Sequence, residues 1–268
     1  MIDDVTKQKF QTEVWDYYHA HGRDELPWRS ITDAYHVTVS ELMLQQTQVG
    51  RVIPKYDQFM ELFPAVQDLA AAPLGDVLRA WSGLGYNRRA KFLWQAAQKV
   101  MKDYDGIFPE QLDELITLPG VGRNTAGAIL AYAYNRPVVF VETNIRTVFI
   151  HHFFNDQTDI SDKAILELVA ETLDKEHSRE WYWALMDYGA YLKQMVGNLN
   201  RLSKTYAKQS TFQGSRRQIR GHVLRLLGTG PHTLARLEKE IQDERLIDVL
   251  DDLVNEDLVC SRGNTYHL

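Results

Sequence analysis

Glu41 is the first of two residues whose setting could give a carboxyl group acid–base chemistry. It lies in the run Ser40–Gln48 (SELMLQQTQ) of a predicted helix. At 100° per residue it shares a helix face with the apolar Val37 and Leu44, which would remove water from the carboxyl and raise its pKa. A raised pKa suits a general acid, although an ordinary solvated helix glutamate fits the same pattern.

Glu142 is the second. It follows the extended apolar segment Pro137–Val141 and stands at the start of a predicted helix, two residues before Asn144. A carboxylate there could simply cap the helix or interact with its dipole. Two carboxylates with hydrogen-bonding neighbours would also suit cleavage of a glycosidic bond. One then protonates or activates the leaving group, and the other stabilises an oxocarbenium-like sugar.

A possible phosphate site lies in the run Leu118–Ala126 (LPGVGRNTA), between two helical patterns. Gly120 and Gly122 can take positive φ without a Cβ clash. The first N–H groups of the second helix then point outward at the positive end of its dipole, which favours an anion. A plain helix–helix turn also fits the glycines. With Val121 between them and Arg123 after them, the run resembles the helix-hairpin-helix of DNA repair proteins.

The charge distribution favours nucleic acid more than the net charge of −6 does. Residues 77–102 and 188–237 contain no Asp or Glu, and both windows are rich in Lys and Arg. Two long basic windows in an acidic chain predict a one-sided electrostatic footprint, although chance clustering on a solvated face would give the same pattern.

The hydrophobic periodicity is helical throughout the first 200 residues, which predicts an all-α fold there. The predicted helices would position the candidate residues. The predicted helices span 3–20, 33–48, 52–62, 66–71, 74–81, 88–104, 109–117, 125–134, 142–153, 161–175 and 179–196. Asp33 and Ser161 are predicted N-caps, and residues 83–86 are a predicted turn.

The C-terminal part has a different pattern of secondary structure. Helical patterns over 217–227, 233–241 and 244–256 precede a hairpin signal at Gly263-Asn264, which predicts a small winged-helix-like domain. Its third helix is acidic and would be repelled by phosphates, so we do not expect it to read a major groove. The predicted domains are 1–197, a basic linker over 198–215, and 216–268.

Composition places the chain among ordinary globular proteins. Of its 268 residues, 44% are hydrophobic and 25% are charged. No apolar run has the length of a membrane span, and the N-terminal residues are too polar for a signal peptide. We expect a cytoplasmic, nucleoid-associated monomer without membrane contact. The single cysteine, Cys260, excludes an internal disulfide and a cysteine-based metal cluster.

Five motifs taken together closely resemble the MutY-type adenine DNA glycosylases of the helix-hairpin-helix, endonuclease III-like superfamily. The resemblance covers about residues 10–197 and implies a two-lobed helical fold that binds duplex DNA with a mispaired or damaged base. The motifs are Leu26–Arg29 (LPWR), Ser40–Val49 (SELMLQQTQV), Gly83–Tyr86 (GLGY), Leu118–Ala131 (LPGVGRNTAGAILA) and Val141–Arg146 (VETNIR).

The resemblance implies four catalytic positions. Glu41 matches the acid that protonates adenine N7, and Glu142 matches the Asp that stabilises the sugar cation. Asn144 matches an Asn that orients the water or the leaving group. Asn124 stands where bifunctional relatives have a Schiff-base Lys, so we expect base removal without efficient strand cleavage.

The resemblance also implies binding residues. The base pocket would contain Trp28, Arg29 and Leu44. A monovalent cation could bind the carbonyls of Leu118 and Val121. The residues expected to contact DNA are Gln45, Gln46, Tyr86, Arg88, Gly120, Val121, Gly122, Arg123, Thr125, Lys204 and Lys208, with Gln46 and Tyr86 filling or wedging the duplex.

The chain departs from the family pattern at three places. Lys193 stands where the first cysteine of the family's iron–sulfur loop should fall, so we expect no cluster and no other cofactor. Glu142 replaces the expected Asp and adds one methylene. The C-terminal domain that reads 8-oxoguanine is replaced by the winged-helix-like piece.

The sequence therefore predicts a monofunctional DNA glycosylase that removes adenine opposite guanine or 8-oxoguanine. Two alternatives stay open because Glu142 and Asn124 are unusual. One is a mismatch thymine or uracil glycosylase on the same scaffold, and the other is a DNA-damage binder without catalysis.

Overall fold

The computed structural model describes residues 2–154 and 157–268, and most of these residues are helical. The first seven helices run from the N-terminal region to the start of the predicted hairpin. They are α1 (Asp4–His21), α2 (Ala34–Leu44), α3 (Val49–Leu62), α4 (Val66–Ala71), α5 (Leu74–Ala80), α6 (Arg88–Asp103) and α7 (Leu112–Leu115).

Among the described residues, seven further helices follow, with three short strands near the C-terminus. The helices are α8 (Arg123–Tyr134), α9 (Thr143–Phe153), α10 (Asp162–Thr172), α11 (Ser178–Val196), α12 (Arg216–Leu227), α13 (Leu234–Ile241) and α14 (Leu246–Asn255). The strands are β1 (His232–Thr233), β2 (Cys260–Arg262) and β3 (Thr265–His267). Within the described part of the chain, no helix is both long and apolar enough to cross a bilayer.

The chain forms two compact units, each built from separate stretches of sequence. The first unit contains the residues up to 37, residues 110–116 and residues 121–208. The second unit contains residues 38–109, 117–120 and 209–268. The domain boundaries at 197 and 216 stay predictions, and we use the names first and second unit below.

The core of the first unit forms where α11 packs against α9 and α1. Phe10 of α1 lies with its ring centroid 5.3 Å from that of Phe149 in α9 and 6.0 Å from that of Trp181 in α11. Helix α8 is buried from Thr125 to Ala133, since its small residues admit close neighbours. Such aromatic and small-residue packing fixes the α9 and α11 backbones firmly.

In the second unit, α6 packs against α4 and α5. The buried residues of α6 recur at helical spacing, so this basic segment turns one face toward the core. They are Arg89, Ala90, Leu93, Ala96, Ala97 and Val100. Trp94 adds a tie from its indole N–H to the carbonyl of Ala72 at 2.9 Å.

The C-terminal residues contain the three helices and the hairpin that the sequence predicts. The three strands form an antiparallel sheet in the order β1-β3-β2. Gly263 has φ +58°, which the turn between β2 and β3 requires. The order of elements is therefore that of a small winged-helix-like piece.

Several predicted boundaries are wrong, each for a local reason. Helix α2 ends at Leu44 instead of residue 48, because Gln46 takes φ +55°. Helix α7 covers only Leu112–Leu115, not 109–117. Gly120 has φ +78°, but Gly122 has φ −83° and is the N-cap of α8. Only one hairpin glycine uses its left-handed freedom.

Candidate functional site

Glu142 stands at the N-cap of α9, with φ −110° and ψ 174°, and its side chain forms no capping hydrogen bond. Only its backbone carbonyl serves the helix, by accepting from the Arg146 N–H at 2.8 Å. Burial raises the pKa of the Glu142 carboxyl, and the positive charge of Arg146 opposes this rise. The carboxyl is therefore not committed to capping.

Asn124 fixes the backbone that carries Glu142. Its side-chain amide N–H donates to the carbonyl of Val141 at 2.8 Å. This bond ties the start of α8 to the residue directly before Glu142. A change at Asn124 would thus move the Glu142 backbone as well as alter chemistry at residue 124 itself.

Asn144 is held by α11. Its amide N–H donates to the carbonyl of Met186 at 3.2 Å. At Gly189, a Cβ atom would lie 2.3 Å from the backbone oxygen of Asn144, which is far inside van der Waals contact. Glycine at 189 therefore lets the start of α9 approach α11 closely.

Arg29 is held by Asp187, also on α11. Its two terminal nitrogens donate to the two carboxylate oxygens at 2.7 and 2.8 Å, and Arg23 donates to them through its backbone N–H and Nε at 2.9 and 2.7 Å. Burial alone would raise the pKa of Asp187, but the bonds and charges of Arg29 and Arg23 outweigh it and lower that pKa. The guanidinium also lies 5.4 Å from the Trp183 ring centroid.

Trp28 is buried on the 3₁₀ turn Pro27–Arg29, directly before Arg29. On α2, the predicted core stripe of Tyr35, Val39, Leu42 and Met43 is buried, and so are Val37, Thr38 and Ser40 on its other faces. Glu41 and Leu44, the two α2 residues with predicted site roles, are partly exposed.

Arg89 is a buried hub that the sequence analysis did not single out. Its guanidinium lies between two rings, 5.4 Å from the centroids of Trp81 and Tyr86. Burial lowers its pKa to about 10. It donates, at 2.6–3.2 Å, to the carbonyls of Leu42, Met43, Gln45, Leu84 and Gly85 and to the Thr47 hydroxyl. Arg89 thereby joins the end of α2 to the 83–86 turn.

Gln46 and Tyr86 lie on the two turns that Arg89 joins, and both have positive φ, at +55° and +48°. Gln209 donates to the Gln46 side-chain oxygen at 3.1 Å and also to the Tyr86 hydroxyl. Arg217 donates to the same hydroxyl, and its guanidinium lies 5.4 Å from the Tyr86 ring centroid. The structure thus groups these two predicted DNA-contacting residues with residues of the C-terminal segment.

Arg88 is engaged by an acid. It and Arg220 both form ion pairs with Glu256, at the end of α14, and Lys91 donates to Asp257 at 3.0 Å. Burial alone would raise the pKa of Glu256, but its arginine partners lower it. The acidic end of α14 therefore faces arginines inside the second unit.

The hairpin combines buried side chains with an accessible backbone. The side chains of Leu118 and Val121 are buried, and Gly120 packs so that a Cβ atom there would lie 2.8 Å from Phe92. Gly122 and Arg123 are exposed, and no side chain of the N-cap covers the first turn of α8. This arrangement leaves the N–H groups at the start of α8 suited to an anion, while Thr125 is buried.

Part of the segment 198–215, which was predicted to be a linker or loop, is tied to the first unit. Asn200 donates to the Thr147 hydroxyl at 2.8 Å. Ile160 forms a β-bridge with Ser203. The Ile160 N–H donates to the Leu202 carbonyl, and the Lys204 N–H donates to the Ile160 carbonyl, both at 3.0 Å. Lys204 and Lys208 are exposed. We call residues 197–206 the tied loop.

Residues 193–208 do not fit the iron–sulfur cluster that the resembled family usually carries. The chain has one cysteine, Cys260, and it lies exposed on β2. Residues 193–208 contain no thiol to bind iron. Over residues 2–154 and 157–268, no three His, Cys, Asp or Glu side chains are grouped as metal ligands. The monovalent cation at the Leu118 and Val121 carbonyls stays a prediction.

Two of the missed residues left a signal in the sequence. Asp187 is a lone acid within the apolar run of α11, and an acid in such a setting is normally paired. Arg89 falls in the helical stripe of Leu93, Ala97 and Val100, which places it on the buried face. Gln209 and Arg217 left none, since their partners are far away in sequence.

The chain is similar to a known family of DNA repair proteins. Residues 39–175 match the model described as HhH-GPD superfamily base excision DNA repair protein. The adenine DNA glycosylase of Mycolicibacterium smegmatis is 34% identical over 271 residues, covering 89% of this chain and 90% of that protein. An adenine DNA glycosylase of Buchnera aphidicola is 34% identical over 82% of this chain, which spans 65% of that relative.

Two solved structures share the fold. A thermostable thymine-DNA glycosylase aligns with a TM-score of 0.62 and 26% identity, over 70% of this chain and 87% of that one. A trapped endonuclease III–DNA covalent intermediate aligns with a TM-score of 0.62 and 20% identity, over 71% and 88% of the two chains. The second similarity concerns the fold alone.

Proposed function

We propose, from the premise that this chain belongs to the HhH-GPD superfamily of base excision DNA repair proteins, that it removes adenine mispaired with guanine or 8-oxoguanine. The observation that carries the proposal is the uncommitted carboxyl of Glu142, held at the start of α9 by neighbours that fix its backbone. Similarity to an adenine DNA glycosylase over 89% of this chain and 90% of that protein supports the choice of base.

Glu41 would be the general acid. A proton delivered to the adenine makes the base a better leaving group, and the N-glycosidic bond then breaks toward an oxocarbenium-like sugar. Its place on α2 beside the buried stripe supports this role, because the helix holds its backbone firmly.

Glu142 would stabilise the sugar cation. A carboxyl whose ionisation is opposed by burial gains most from a positive charge that forms beside it, since the surrounding dielectric is low. Asn144 would orient the attacking water, and Asn124 would hold the Glu142 backbone. Asn124 cannot form a Schiff base, so the abasic strand would remain uncut.

The remaining predicted residues would bind the duplex. The N–H groups at the start of α8 would take a phosphate, and the exposed Lys204 and Lys208 would take others. Trp28, Arg29 and Leu44 would line the base pocket, with Arg29 oriented by Asp187. We take the enzyme to act as a monomer, at the nucleoid and without an iron–sulfur cluster. The tied loop is held by hydrogen bonds with Thr147 and Ile160.

Removal of thymine is the second candidate, because the chain is 26% identical to a thymine-DNA glycosylase of the same fold. A panel of duplexes with A·G, A·8-oxoG, A·C, T·G and U·G pairs, incubated with the protein and cleaved at abasic sites with alkali, separates the candidates. Strand breaks at adenine are expected. Breaks only at T or U, or binding without breaks, would replace the proposal by one of its rivals.

Glu41→Gln tests the assignment of the acid. The amide keeps the shape but cannot deliver the proton, so single-turnover adenine release should fall by about 10²–10⁴-fold while duplex binding stays within a few-fold. Glu61→Gln on α3, an exposed position with the same change of charge, is the matched control. Release within a few-fold of wild type by Glu41→Gln would refute the role.

A further inference from the structure

Arg146 lies one helical turn after Glu142, which stands at the N-cap of α9. Side chains four residues apart on a helix are neighbours, and an acid that precedes a base is the favourable order for an ion pair. The structure pairs Arg146 elsewhere. Its Nε and one terminal nitrogen donate to the two carboxylate oxygens of Asp162, each at 3.0 Å. Glu142 therefore lies near a positive charge that another carboxylate already holds.

Asp162 is fixed from two sides. It is the first residue of α10, directly after the N-cap Ser161. From the tied loop, the Thr205 hydroxyl donates to the Asp162 carboxylate at 3.3 Å, and the Ser203 hydroxyl lies 2.9 Å from that of Thr205. The Arg146 side chain is only 13% exposed, so water screens the ion pair weakly. The guanidinium is thus held in one place.

The place of this guanidinium decides the state of Glu142. Burial raises the pKa of the Glu142 carboxyl, and the charge of Arg146 opposes the rise. A lone guanidinium would act more strongly than one whose charge is balanced by Asp162. In a direct ion pair, Glu142 would ionise readily, but its charge would already be compensated and would stabilise a positive sugar less.

We propose that Asp162 is a positioning residue for base release, which holds Arg146 away from Glu142 and so keeps the Glu142 carboxylate available to the sugar cation. The inference rests on the proposed function and deepens it. Asp162 lies 16 residues beyond Arg146, outside the motif of residues 141–146. An acid in the first turn of a helix also interacts with the helix dipole, so the test must separate positioning from a purely structural role.

The pH profile of single-turnover adenine release from an A·G duplex makes this separation. Asp162→Asn frees Arg146 to pair with Glu142. The maximal rate should fall about tenfold, and the acid limb, where Glu142 ionises, should move about one unit to lower pH. Arg146→Met removes the charge that opposes burial, so its acid limb should move to higher pH. The double variant should recover the wild-type maximum within about threefold, because no guanidinium remains to pair with Glu142.

Asp4→Asn is the matched control, since Asp4 is likewise the first residue of its helix and follows the N-cap Asp3. It should change neither the maximal rate nor the acid limb. A structural role of Asp162 predicts the same loss of rate in the single and the double variant. That result, or an acid limb that does not move in Asp162→Asn, would overturn the inference.

Carboxyl ¹³C NMR follows the Glu142 titration without DNA and without base release, with the resonance assigned by its loss in Glu142→Gln. The titration should move to lower pH in Asp162→Asn and to higher pH in Arg146→Met. A Glu142 titration that is the same in wild type and Asp162→Asn contradicts the inference whatever the activity. A wild-type protein that releases no adenine, but whose variants titrate as expected, would refute only the proposed activity.

Discussion

The two units each bury an arginine, and they compensate its charge in different ways. Arg29 in the first unit faces the carboxylate of Asp187 through two parallel hydrogen bonds. Arg89 in the second unit has five backbone carbonyls and a hydroxyl as acceptors, with no carboxylate among those partners. A full counter-charge stabilises the first, and only dipoles and ring faces stabilise the second.

This difference explains why the folded state favours the charged form of Asp187 but disfavours the charged form of Arg89. Arg29 and Arg23 outweigh burial and lower the pKa of Asp187, whereas burial lowers the pKa of Arg89 to about 10. The Arg29–Asp187 ion pair fixes one side chain against another. Arg89 donates to several carbonyls and therefore fixes the backbone. The first arrangement suits a pocket wall, and the second suits two turns that must keep a strained shape.

The largest effect is expected from Asp187→Asn. Removing the carboxylate leaves Arg29 buried with an uncompensated charge, which should lower the free energy of unfolding by about 3–5 kcal/mol. Chemical denaturation measures this directly. Asp16→Asn, an exposed change on α1, should stay within about 0.5 kcal/mol. A loss below about 1 kcal/mol at position 187 would show that Arg29 finds another partner.

Arg89→Met should have the next largest effect, since it leaves buried carbonyls at the end of α2 and in the 83–86 turn without a donor. We expect a loss of about 2–3 kcal/mol. Hydrogen exchange should rise at residues 45–47 and 84–86 before it rises in α1 or α11. Arg79→Met, which removes only an exposed pair with Asp76, provides the comparison. Exchange that rises evenly along the chain would contradict a local role.

The smallest expected effect is in the pH dependence of stability, which should differ between the Asp187→Asn and Arg89→Met variants. The pKa of Asp187 is lowered in the folded state, so its contribution is complete above the unfolded value of about 4 and is lost as pH falls further. The stability difference between wild type and Asp187→Asn should therefore shrink below about pH 4. The difference for Arg89→Met should stay constant there, because Arg89 remains charged. Parallel changes in both variants would show that acid weakens the two units alike.

Local patterns gave most of the fold and the identity of the motifs. The stripe of Tyr35, Val39, Leu42 and Met43 set the phase of α2, and capping residues marked α2 and α10: Asp33 accepts from two N–H groups and Ser161 from one. The fold class and the superfamily are confirmed. The individual roles of the site residues stay predictions.

The contacts that the sequence could not predict are those between residues far apart along the chain. Arg29 was assigned to the base pocket, but its partner Asp187 lies 158 residues away. Residues 198–215 were predicted to be a linker or loop because their composition is polar, and composition did not indicate that Asn200 is buried and bonded to Thr147. Composition records polarity, and it does not record which polar groups find each other inside the fold.

The tied loop has a consequence for the order of folding. Asn200 and Thr147 are 53 residues apart, and Ile160 precedes its partner Ser203 by 43. Contacts of such sequence separation form late, because the entropy of closing the intervening chain must be lost before they stabilise anything. The Thr147 hydroxyl donates to the Thr143 carbonyl within α9 at 2.9 Å, but during synthesis it would accept from Asn200 only after more than fifty further residues had left the ribosome. The tied loop would then be among the last parts of the first unit to be set in place.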